Sequence, residues 1–144
     1  MATIFSNEAE ILRIGEGLFA RTLPRAEWTH AAHFAVTLWL MRHRPDLALE
    51  AEMPGLIRAF NEATGTPNTD TGGYHETITL ASLRAARMWL AERPHLSLHV
   101  VLAELMASPF GRSDWLLSYW TRPVLFSVAA RRGWIGPDVK PLPF

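Results

Sequence analysis

Two histidines stand three residues apart, His30 and His33, in a stretch over residues 28–41 that is otherwise almost entirely apolar. On a helix of 3.6 residues per turn, positions i and i+3 fall on one side a turn apart, so both imidazoles point into a common space. A helix apolar on every face belongs in the middle of a core. Imidazoles carried there need hydrogen-bond partners or a metal, because a buried unpaired polar group costs about 1–3 kcal/mol.

A third histidine joins them by pattern. His75, Ile78, Ser82, Ala85 and Trp89 follow helical spacing, which turns His75 toward the core side, while its neighbour Glu76 projects about 100° away. Two imidazoles from one helix and one from another make a site for a divalent transition metal, zinc, iron, manganese, nickel or copper, with a position left open for water or substrate. The chain has no cysteine, so thiolate ligands and disulfides are excluded. Adjacent helical residues rarely ligate one ion, and Glu76 therefore reads as the general acid or base acting on a metal-bound water. Satisfied core residues are the alternative reading of the trio.

Around these, Tyr74, Asp70 and Thr79 are placed to line a pocket mouth or to fix the imidazole tautomers, and Thr77 shares that reading. Tyr119, with Trp115 and Trp120, supplies either an aromatic wall for a ligand or ordinary core. His43 and His95 lie at charged or proline-containing helix ends and read as surface groups. His99, one turn into an apolar helix, is either bonded in the core or facing a pocket. Glu10, beside the stripe of the first helix, reads as a solvated carboxylate before it reads as a ligand.

The elements that must position these groups are all helical. Ser6 or Asn7 caps a helix over residues 8–21 with Ile11, Leu12, Leu18 and Phe19 as its apolar stripe. Thr29 caps the central helix, which closes at Arg42 and His43. A third helix opens at Pro45 and buries Leu47, Leu49, Met53, Leu56, Ile57 and Phe60, and Pro54 inside it predicts a kink or two shorter helices. The turn-rich segment over residues 61–73 is the longest loop. A fourth helix opens at Tyr74 and stops near Pro94, and a fifth, capped by Ser97, ends at Pro109. Short helices over 113–121 and 123–132 precede a tail rich in Gly and Pro. The expected fold class is all-α, a single-domain bundle of at least five helices.

Composition bounds the function. At 144 residues the chain fits one domain with a sizeable core. Fourteen basic residues balance fourteen acidic ones, which excludes the basic footprint of a nucleic-acid binder. Only Lys140 among the basic residues is a lysine. This bias reads first as the coding habit of a GC-rich genome, and second as arginines that grip carboxylate or phosphate. The opening residues lack a secretory leader pattern, and no apolar run reaches bilayer length, so a cytoplasmic protein without a membrane partner is expected. The apolar content permits a homodimer.

The aromatic-x-H-x-x-H element Trp28-x-His30-x-x-His33, the stretch Tyr74-His75-Glu76-Thr77-Ile78-Thr79, and the closing segments over 125–131 and 137–142 resemble a group of small, mostly uncharacterised bacterial all-α proteins. The resemblance implies that His30, His33, His75 and Glu76 form one recurring motif set, and it brings no reaction with it. The expected function is a small metal-dependent enzyme activating water or dioxygen on a small-molecule substrate. The alternatives are a non-catalytic helical module for a small ligand or haem, and an interaction protein with core histidines.

Overall fold

Thr29 does at the start of the central helix what its position predicts: its hydroxyl accepts the Ala32 N–H at 3.2 Å. The computed structural model describes residues 5–144, and the leader reading rests partly on residues 1–4, which lie outside the described residues. Seven α-helices follow in order: α1 Glu8–Ala20, α2 His30–His43, α3 Leu49–Ala63, α4 Glu76–Ala91, α5 Leu98–Ala107, α6 Arg122–Leu125 and α7 Val128–Arg132. Among the described residues there is no strand. No helix among them is long and apolar enough to cross a membrane.

Helix α2 is the axis of the bundle. Eight of its fourteen residues are buried, and it packs on α1, α4 and α5. Helix α1 comes close because Gly15 faces it, and a Cβ there would lie 2.6 Å from the Trp39 ring. Its buried stripe is Ile11, Ile14, Gly15 and Leu18. Leu12 and Phe19, expected in that stripe, are exposed instead, because the absence of a side chain at Gly15 lets that side of α1 close onto α2.

Helix α3 begins four residues later than its Pro45 signal, since Arg44 and Asp46 close a local salt-bridged turn first. It runs through Pro54 as one segment. Proline there removes only the hydrogen bond to the Glu50 carbonyl, and buried Met53 and Phe60 hold the helix on either side. The start of α5 is capped across space. Ser97 makes no side-chain cap, and the Glu8 carboxylate of α1 accepts the His99 N–H at 2.8 Å. The tail after α7 is irregular but stitched down: Trp120 Nε1 donates to the Ile135 carbonyl, and Asp138 takes both the N–H and the hydroxyl of Thr121.

Candidate functional site

A cavity of about 440 Å³ opens between α2, α3, α4 and the segment over 113–131. Its walls are largely hydrocarbon, from Trp28, Phe34, Met53, Ile57, Leu83 and Leu125 among others. His30, His33 and His75 all line it. Their roles differ, however, and the difference lies in what each ring nitrogen already holds.

His75 is 6% exposed and is the N-cap of α4, so that helix opens at Glu76 and not at Tyr74. Its Nδ1 accepts the Ile78 N–H at 3.2 Å, which requires the proton to sit on Nε2. Nε2 then donates to the Leu125 carbonyl at 2.7 Å. Burial, with the Arg131 charge acting in the same sense, pushes its pKa down from 6.5, so the ring stays neutral. Both nitrogens are committed to the backbone.

His30 is half committed. Its Nε2 donates to the Phe110 carbonyl at 2.9 Å, and no described group hydrogen-bonds its Nδ1. His33 is uncommitted: no described protein group hydrogen-bonds either nitrogen, and the ring stacks on Trp28 with centroids 3.9 Å apart. The His33 ring is sunk among protein atoms and yet remains exposed through the cavity. Desolvation, aided by the charges of His30 and Arg25, drives its pKa down, to about 3 if the cavity is dry. The ring is therefore neutral at pH 7.

Among the described residues, no group of three or more His, Asp or Glu side chains is arranged to hold a metal ion. The expected ligand trio therefore shares a cavity without converging. Glu76, expected as the acid or base, is not on the cavity wall. Its carboxylate accepts the Tyr74 hydroxyl at 2.5 Å. Burial and that carboxylate together raise the Tyr74 pKa, so the phenol keeps its proton. Tyr74 and Thr79 line the cavity as expected. Asp70 does not, because both of its oxygens are gripped at the surface by Arg132, at 2.7 and 2.6 Å. Tyr119 lines a separate hollow beside Trp115 and Phe110, with Lys140 over its ring.

The other histidines resolve simply. His43 and His95 are exposed, and His99 bonds Glu8 through Nδ1 at 3.0 Å. Glu10 pairs with Arg13, as a solvated carboxylate should.

Several wall residues carry no signal in the pattern of histidines. Asn61, 3% exposed, accepts from Arg25 at 2.6 Å and donates to Asn68 at 3.0 Å. Asn68 in turn accepts the Tyr74 N–H, so the turn-rich loop is tied to the cavity wall by side-chain amides. Arg122 and Arg131 come from the last third of the chain. The arginine bias of the composition is the one sequence feature that hints at them. Comparison of the chain with protein-family models, with curated proteins and with solved structures finds no match.

Proposed function

We propose that the protein binds a small, mainly apolar organic molecule in the cavity beside α2, with His33 as the polar group that meets it. The observation that carries this reading is the pairing of an uncommitted, neutral imidazole with hydrocarbon walls in a cavity of about 440 Å³. Ligand sites characteristically enclose roughly 300–1,000 Å³ and fix their guests with a few polar groups. His33 offers such a guest a donor on one nitrogen and an acceptor on the other, and can exchange a proton with it.

A metal-dependent enzyme is the second reading. It is favoured by the unpaired Nδ1 of His30 standing one turn from His33 on the same helix. His75 takes no part in it unless one of its backbone bonds breaks. Metal content measured on protein purified without chelator tests this: near one equivalent of a transition metal, lost in His33→Ala and retained in His75→Asn, is the expected signature.

The ligand reading is tested with the neutral probe N-phenyl-1-naphthylamine, whose fluorescence rises in apolar surroundings. Saturable one-site binding is expected. Filling the cavity with Ser82→Phe should weaken it at least tenfold while the melting temperature holds. Absence of binding, or equal binding by the filled variant, overturns the reading.

A further inference from the structure

The cavity carries charge that the protein leaves unmatched. Arg25, Arg122 and Arg131 line it, and none of the three is ion-paired to a carboxylate among the described residues. Arg25 gives one nitrogen to the neutral Oδ1 of Asn61, and Arg131 donates to the Gly73 and Tyr74 carbonyls at 3.0 and 3.2 Å. Asp114 is the one carboxylate on the wall, and Arg112 holds it at 3.1 Å from outside the cavity. Elsewhere Arg13, Arg44, Arg87, Arg93 and Arg132 each face an Asp or Glu, whereas Arg58, Arg84 and Lys140 lie over aromatic rings and Arg42 on carbonyls. Three guanidinia without a carboxylate partner among the described residues thus stand around one apolar hollow.

We infer that the guest of this cavity is an amphiphilic organic anion, a hydrocarbon body with one carboxylate head, the head engaged by the exposed guanidinia of Arg25 and Arg122. This rests on the ligand-binding reading above and deepens it. The walls supply no carboxylate that is free to receive a cationic guest. A compact inorganic anion would leave the hydrocarbon walls wet, and a neutral guest would leave the guanidinia unanswered. Guanidinium forks match a carboxylate in two parallel bonds, stronger than neutral pairs. The neutral ring of His33 completes the head's surroundings, and half-buried Arg131 adds a fixed positive field from the wall.

The experiment displaces bound N-phenyl-1-naphthylamine with octanoate and, separately, with octan-1-ol, two chains of equal length that differ in head-group charge. Octanoate is expected to displace the probe at least tenfold more effectively than octan-1-ol. In the double variant Arg25→Gln, Arg122→Gln that advantage should vanish while the probe itself binds as before. Equal displacement by the two, or an octanoate advantage that survives in the double variant, overturns the anion inference and leaves the cavity reading standing. Failure of the probe to bind the unaltered protein removes the cavity reading, and the inference with it.

Discussion

His75 and His33 are the same residue type on the same cavity wall, and they do opposite things. His75 spends both nitrogens on backbone and holds the start of α4 to the end of α6. His75→Ala removes a helix cap and a buried hydrogen bond, each about 1 kcal/mol, so urea unfolding should show a loss of about 2 kcal/mol. His33→Ala removes only a stack on Trp28 and should cost about 1 kcal/mol or less. The reverse ordering would make His33 the structural residue. His75 joins the wall of His30 and His33 from an extended cap position, so helical spacing accounts only for the pair on α2. It could not divide their roles, because the deciding partners are the carbonyls of Phe110 and Leu125, which any residue type would supply, 80 and 50 positions along the chain.

Among the elements, the loop between α3 and α4 shows how a connection becomes part of a wall. Gly73 has φ +78°, and a Cβ there would sit 2.5 Å from the Pro67 carbonyl oxygen. Gly65 has a similar φ of +82° but open space around it. Gly73→Ala is therefore expected to cost about 2 kcal/mol or more, and Gly65→Ala about 1 kcal/mol, in parallel unfolding curves. Equal costs would show that backbone conformation alone, and not the close packing under Asn68, holds the loop. Turn formers marked this loop in the sequence, and the Thr29 cap and the end of α2 were equally legible. The true starts of α3 and α4 were not, because each depends on a side chain bonding outside its helix: Arg44 to Asp46, and the His75 ring to Ile78 and Leu125.

For the whole molecule, the lowered pKa values of His33 and His75 set an acid limb. An unfolded chain takes up protons on these rings near pH 6.5 that the folded protein refuses. Their contribution to stability is thus complete above about pH 6.5 and is lost as pH falls below it. The slope is at most about 1.4 kcal/mol per pH unit for each ring, and smaller for His33, which is exposed through the cavity. Carboxylates held down by partners, such as Glu8 and Asp70, add their own loss only below about pH 4.5. Urea midpoints between pH 7.5 and 5.0 should accordingly decline, and His75→Asn should flatten the decline. A level profile over that range would show that the folded protein accepts these protons freely.

The carbonyls that engage His30 and His75 give the cavity a place in time as well as in space. A growing chain contains His30 and His75 long before Phe110 and Leu125 exist to receive them, and contacts that distant bear their loop-closure cost before they return anything. Until those residues are made, the two rings lack these partners. Only the last third of the chain engages His75, fixes the proton of His30 and brings Arg122 and Arg131 to the wall. A nascent chain halted short of residue 122 would hold α2 and every histidine, and have no site.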